Sequence, residues 1–178
     1  LGATTAMTLQ LSGIVGGYLD GVKGSGGLTP FYNIQASRSI TSGVERVVLV
    51  IHNRYSINGL PTTIELFINQ ISVAVDGAKT VSIKIIKGPT TLSADTTADY
   101  TNLQYVNETQ TPLTYDTTTL TRTGGDVITS FVVGINGQLI YKPFVPIVLP
   151  RESFVAIVAT SSNNNDVTLS VDISQDDT

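Results

Sequence analysis

The sequence predicts an all-β protein, an antiparallel β-sandwich or jelly roll with an extended glycine-rich N-terminal arm. Valine, isoleucine and threonine make up about a third of the 178 residues, and β-branched residues favour strands. Alanine and glutamate, which favour helices, are rare. Short stretches of alternating apolar and polar residues are separated by turns that contain glycine, asparagine or proline.

Residues 1–43 are expected to form the arm, because they contain nine of the sixteen glycines. Glycine loses the most backbone entropy on folding, so this segment is a poor independent folder that becomes ordered on a neighbouring surface. The alternative is that 8–11 and 31–37 are strands of the main domain. The side chains expected to contact that neighbouring surface are Leu9, Leu11, Ile14, Val15, Tyr18, Phe31 and Tyr32.

The jelly-roll domain is expected over residues 44–175, followed by a frayed acidic tail at 176–178. Its first predicted strand, 44–52, is apolar on both faces, as expected of a strand that is covered on both sides.

The next predicted strand, 63–75, alternates in two registers. The phase changes near Asn69 and Gln70, which predicts a β-bulge or a corner between sheets. The Asp76-Gly77 pair then predicts a hairpin turn into an alternating strand at 80–87.

Residues 88–123 are polar and rich in threonine, which is typical of a loop region at one end of a sandwich. Asn136-Gly137 predicts a second hairpin turn. Pro143 and Pro146 forbid a central ladder position, so the strand before them is expected to end there or to lie at an edge. The remaining strands are predicted at 127–135, 138–141, 145–149, 153–160 and 167–173.

The composition excludes several functions. No cysteine is present, so disulfides, thiolate metal sites and thiol catalysis are excluded. A net charge of −4 and a pI near 4.8 oppose a nucleic-acid partner, and no apolar run is long enough for a membrane-spanning helix. His52, the only histidine, is interpreted as a strand-end side chain. We expect no enzyme activity, no metal site and no cofactor.

The low charge points instead to an assembly. Charged residues make up 13% of the chain, roughly half of the usual fraction of about 25%. Surfaces that are buried between subunits are depleted of lysine, glutamate and aspartate. The composition therefore favours a subunit of a large assembly over a free enzyme.

Residues 138–148 predict where copies of the chain meet, because they combine apolar side chains with two prolines. We expect a homotrimer that buries Tyr141, Phe144 and Val145 near its axis or between protomers. The alternative is that Phe144 fills the core of the sandwich.

Three segments at the end of the chain, 127–133, 144–159 and 165–173, follow the order strand, turn, strand, amide-rich turn and closing strand. This pattern resembles small jelly-roll accessory virion proteins of tailed bacteriophages, of the capsid cement (decoration) or fibre-head type. The turn Leu149-Pro150-Arg151-Glu152-Ser153 differs from theirs in carrying Arg151 where glycine is common. Residues 47–53 and 77–86 resemble the earlier paired strands of that family.

The resemblance implies a structural virion protein on the outer surface of the capsid. The leading expectation is a cement protein, often a trimer, that binds the major capsid protein through the seven arm side chains named above. The alternative is a receptor-binding or fibre-head domain that recognises host surface glycans through Tyr100, Tyr105 and Tyr115, whose rings could stack on sugars. The competing interpretation is that these tyrosines pack beneath the loops.

Overall fold

The structure, a computed structural model, describes residues 30–93 and 104–176. Over these ranges the chain forms strands and no helix. The strands are β1 (Phe31–Ile40), β2 (Arg46–Asn53), β3 (Ser56–Ile57), β4 (Leu60–Pro61), β5 (Glu65–Gly77), β6 (Val81–Lys87), β7 (Thr91–Ser93), β8 (Gln104–Tyr105), β9 (Leu113–Asp116), β10 (Thr121–Thr123), β11 (Asp126–Val133), β12 (Gln138–Tyr141), β13 (Ile147–Leu149), β14 (Phe154–Ser161) and β15 (Asn165–Asp176).

Eight of these strands form two facing antiparallel sheets. The first sheet has the order β1-β15-β5-β12, with β13 also paired to β5, and the second has the order β11-β6-β14-β2 and continues through β9 and β8. Counted in chain order, the eight strands read 1-8-3-6 in one sheet and 5-4-7-2 in the other, which is the strand order of a jelly roll. The predicted fold class is confirmed.

The core lies between the two sheets. Alternate residues of each strand point inward, so that Ile34 of β1, Ile71 of β5 and Leu169 of β15 meet Leu49 of β2 and Ile157 of β14. A second apolar cluster lies on the outer face of the second sheet, where the short β7–β10 ribbon contributes Leu92. Strands β2 and β14 are therefore covered on both faces, as their apolar patterns require.

The predicted arm is too long at its C-terminal end. Residues 31–40 form β1, which pairs along its whole length with β15. Tyr32, Ile34 and Ile40 are buried in the core. The alternative interpretation of 31–37 as a strand of the domain is therefore the correct one, and Asp176 likewise belongs to β15 rather than to a frayed tail.

The phase change near Asn69 is confirmed as a β-bulge. Strand β15 pairs Asp172 with Gln70 and the following Ile173 with Ile68, so that Asn69 is the extra residue. The bulge returns the apolar side chains of β5 to the core on both sides of it.

The hairpin predicted at Asp76-Gly77 is wrong, because β5 and β6 lie in different sheets. Asp76 and Gly77 are paired with Asp166 and Asn165 of β15. A Cβ atom at Gly77, whose φ is +150°, would lie 2.6 Å from Cγ of Asn165. The glycine is thus explained by a close approach and not by a tight turn.

The hairpin predicted at Asn136-Gly137 is also wrong, although the turn itself exists. The amide of Gly137 donates to the carbonyl oxygen of Gly134 at 3.1 Å, and Asn136 has a φ of +47°. This turn carries the chain from β11 in the second sheet to β12 in the first. The residues specify the turn, whereas the jelly-roll topology decides which strands pair.

Candidate functional site

Strands β11 and β12 are free edges of the two sheets and lie on the same side of the sandwich. Strand β11 pairs only with β6, and β12 pairs only with β5, among the strands that the structure describes. The rings of Phe131 on β11 and Tyr141 on β12 stack with centroids 5.2 Å apart, so the two edges meet there. We call residues 126–145 the open side.

The open side is strongly apolar on its surface. It carries seven of the twelve large apolar side chains that are exposed among the described residues. Its only basic residue is Lys142, whereas exposed strand edges usually carry lysines or other charges that prevent pairing. The seven exposed residues are Val127, Ile128, Val132, Ile135, Ile140, Phe144 and Val145.

Two of the three residues predicted at a trimer interface are exposed and therefore accessible to a neighbouring protomer. Phe144 is fully exposed, and Val145 is exposed as well. Tyr141 is half-buried and packs against the core. The alternative that Phe144 fills the core is wrong, because β12 ends at Tyr141 and the chain around Phe144 lies outside the ladder.

The opposite side of the sandwich is closed by residues 104–123. Strand β9 pairs with β2 and β8 pairs with β9, so this segment extends the second sheet instead of forming only end loops. The guanidinium of Arg38 on β1 donates to the carbonyl oxygen of Thr117. Burial lowers the pKa of Arg38 and the nearby Asp116 opposes this shift.

The buried carboxylate of Asp116 organises the chain after β9. One oxygen accepts hydrogen bonds from the amide and the hydroxyl of Thr118, both at 2.6 Å. The other accepts from the amide of Thr119 at 3.1 Å and from its hydroxyl. These contacts fix the turn that closes this side.

The predicted capsid-contact residues divide into two groups. Leu9, Leu11, Ile14, Val15 and Tyr18 lie outside the described residues. Phe31 is 62% exposed at the start of β1, whereas Tyr32 is buried opposite Ile173 of β15 and is not available for a contact. Successive strand residues point to opposite faces, which is why the two aromatic neighbours differ.

The tyrosines predicted to bind glycans do not form one platform. Tyr100 lies outside the described residues. Tyr105 is opposite Thr114 in the β8–β9 pair, and Tyr115 is opposite Gln104, so the two rings point to opposite faces. Tyr115 packs against the core, as the competing interpretation expects, and Tyr105 is exposed.

Two exposed tyrosines each lie next to an arginine, and the sequence alone does not predict these pairs. The guanidinium carbon of Arg54 lies 4.2 Å from the ring centroid of Tyr105, and that of Arg151 lies 4.6 Å from the ring centroid of Tyr55. We call these four residues the Arg–Tyr end. The departure from the phage pattern at Arg151 was the one available signal.

His52 lies at the end of β2, as expected of a strand-end residue. Its Nδ1 lies 3.3 Å from the hydroxyl oxygen of Thr114. Burial and, secondly, the positive charge of Arg54 lower the pKa of His52 to about 4. The imidazole is therefore neutral at pH 7.

Within residues 30–93 and 104–176, no three histidine or carboxylate side chains cluster as a metal site would require. The described chain also contains no helix that is long and apolar enough to cross a membrane.

No protein-family model matches the chain, and no curated protein matches its sequence. Similar solved structures include PirA, at 10% identity and a TM-score of 0.38, covering 77% of this chain and 90% of the other. A Bacillus endospore appendage, described as a disulfide-linked pilus, has 9% identity, coverage of 83% and 89%, and a TM-score of 0.36. A chain in the structure of broad bean stain virus has 7% identity and a TM-score of 0.34, covering 85% of this chain and 87% of the other. The fold assignment rests on the strand order of this chain.

Proposed function

We propose that this chain is a structural virion protein, a capsid cement (decoration) protein on the outer surface of a phage head. The observation that carries the proposal is the open side, where seven exposed apolar side chains flank two free strand edges. A free monomer with such a surface is prone to aggregation, whereas a subunit covers the surface with its neighbours. In this proposal the protein acts by binding and not by catalysis.

The proposed partners are two further copies of the chain and the major capsid protein. Cyclic symmetry buries the open side of every copy, because the last contact in the ring closes on the first copy. Phe144 and Val145 lie between protomers in this trimer, and Tyr141 supports them from the core side. The contact with the capsid is assigned to the residues before β1, among them Leu9 and Leu11.

Binding to the assembled shell stabilises it by mass action. A ligand that binds only the assembled state adds a free energy that grows with its concentration relative to its dissociation constant. The proposed protein therefore needs no chemistry of its own to strengthen a capsid. It needs contacts that exist only on the finished shell.

The test uses heads that lack this protein, prepared from the virus that encodes it. It measures how much of the added protein binds to these heads. Gold-labelled antibody on complete particles is expected over the whole head, and purified protein is expected to restore occupancy and resistance to heat. Phe144→Asp is expected to lower occupancy, and Ser37→Asp, which adds the same charge to the exposed outer face of β1, is expected to leave it unchanged. Label confined to the tail tip, or full occupancy by Phe144→Asp, contradicts the proposal.

The second candidate is a receptor-binding or fibre-head domain that recognises host surface glycans. The observation that favours it is the exposed ring of Tyr105 beside Arg54, which joins an aromatic surface to a hydrogen-bond donor. Label at the tail tip and binding to host cells would support this candidate.

A further inference from the structure

The Arg–Tyr end is built from three separate parts of the chain. Arg54 and Tyr55 follow β2, Arg151 lies in the turn before β14, and Tyr105 is in β8. The amide of Arg54 donates to the carbonyl oxygen of Pro112 at 3.0 Å, and the amide of Glu152 donates to that of Asn53 at 2.6 Å. These backbone contacts hold the three parts together at one end of the sandwich.

Both guanidinium groups are positioned without being neutralised. Arg54 donates to the carbonyl oxygen of Ser56 at 2.8 Å and Arg151 to that of Thr62 at 3.5 Å. No carboxylate of the described residues lies within 4.0 Å of either guanidinium, whereas Lys84 and Arg122 both pair with Glu45. Burial is the main cause of the lowered pKa of His52, and the positive charge of Arg54 adds to it.

The rings beside these charges are accessible. Tyr55 is 44% exposed and Tyr105 is 49% exposed. A ring that stacks on a guanidinium restricts its rotation, so less entropy is lost when its remaining N–H groups bind an anion. The same ring offers an apolar edge or face to the C–H groups of a ligand.

We propose that the Arg–Tyr end binds an anionic saccharide, a sugar chain that carries carboxylate or phosphate groups. Carboxylate and phosphate oxygens match the fork of N–H donors on a guanidinium, and sugar C–H groups match the exposed tyrosine rings. A simple anion would contact the arginines alone, whereas each Arg–Tyr pair presents a guanidinium and an aromatic ring together. The inference rests on the second candidate function, and it names the ligand class and the residues.

The experiment is calorimetric titration of the full chain with three oligomers of similar length. One is a galacturonate oligosaccharide, one is a phosphorylated mannose oligosaccharide and one is neutral dextran. At least one acidic oligomer is expected to bind, more weakly as salt is raised, and dextran is expected not to bind. The two acidic oligomers distinguish a carboxylate ligand from a phosphate ligand.

Variants then locate the site. Arg151→Gln and Tyr55→Ala change exposed side chains, and each is expected to weaken binding by roughly tenfold. Arg151→Lys keeps the charge but not the planar fork, and is expected to recover only part of the affinity. Lys79→Gln removes an exposed positive charge from the segment just before β6. It is the matched control and is expected to bind as the wild type does.

Several results would overturn the inference. The absence of binding by both acidic oligomers would overturn it, as would equal weakening by Arg151→Gln and Lys79→Gln, since the latter indicates diffuse electrostatic attraction. Binding of dextran alone would overturn the anionic ligand while leaving glycan recognition intact. Equally tight binding of polyglutamate would show that the sugar is not recognised.

Discussion

The ring of His52 on β2 lies flat on the ring of Phe154 on β14, with centroids 3.9 Å apart and 6° between the planes. The two residues are direct partners across the β2–β14 ladder. The stack holds the imidazole against an apolar surface, which disfavours its protonated form. The pairing of these two strands therefore makes the folded protein sensitive to acid.

Acid is expected to destabilise the wild type through His52. The pKa in the folded state is about 4, below the unfolded value of 6.5. Between these values the unfolded chain binds more protons, so stability falls as the pH falls from 6.5 towards 4. Urea unfolding at about pH 7 and about pH 4.5 is expected to give a larger loss for the wild type than for His52→Gln. Equal losses in the two proteins would contradict this assignment.

Removing the carboxylate of Asp116 is expected to destabilise the fold. Asp116→Ala leaves the amides of Thr118 and Thr119 without their acceptor. We expect a loss of about 2–4 kcal/mol in the free energy of unfolding. Asp126→Ala, at an exposed carboxylate, is the control and is expected to change stability by less than about 0.5 kcal/mol.

The charge introduced by Phe144→Asp is expected to dissociate the proposed trimer without unfolding the protomer. Phe144 is fully exposed, so its removal takes nothing from the core. Light scattering is expected to show a trimer for the wild type and for Ser37→Asp, and a monomer for Phe144→Asp, with similar melting temperatures. A wild type that is monomeric at micromolar concentration would exclude the trimer, whatever the variant does.

Two truncations are expected to separate the arm from the domain. Deletion of residues 1–29 keeps β1 and is expected to leave the melting temperature nearly unchanged while reducing decoration of capsids. Deletion of residues 1–40 also removes Tyr32, Ile34 and Ile40 from the core and the whole ladder with β15, and is expected to prevent folding. Thermal unfolding followed by circular dichroism measures both. Full decoration by the shorter deletion would contradict the role of the arm.

The sequence by itself determined the features that depend on neighbouring residues. The alternation of apolar side chains located most of the strands and the bulge at Asn69, because a change of phase moves side chains from one face to the other. Pro143 and Pro146 predicted that β12 ends or lies at an edge, because proline lacks the amide that a central ladder needs, and β12 is an edge strand. The turn at Asn136-Gly137 likewise depends only on the residues that form it.

Only the tertiary structure decided what depends on distant partners. After Asp76-Gly77 the chain crosses from the first sheet to the second. It does so because β5 and β6 bury their inner faces by packing against each other across the core and not by pairing side by side. Contacts between distant segments also bring Arg151 to Tyr55, and the register of the β8–β9 pair turns Tyr105 and Tyr115 to opposite faces of their ribbon. Local periodicity records which face of a strand is buried, whereas the choice of neighbour follows from burying every apolar face at once.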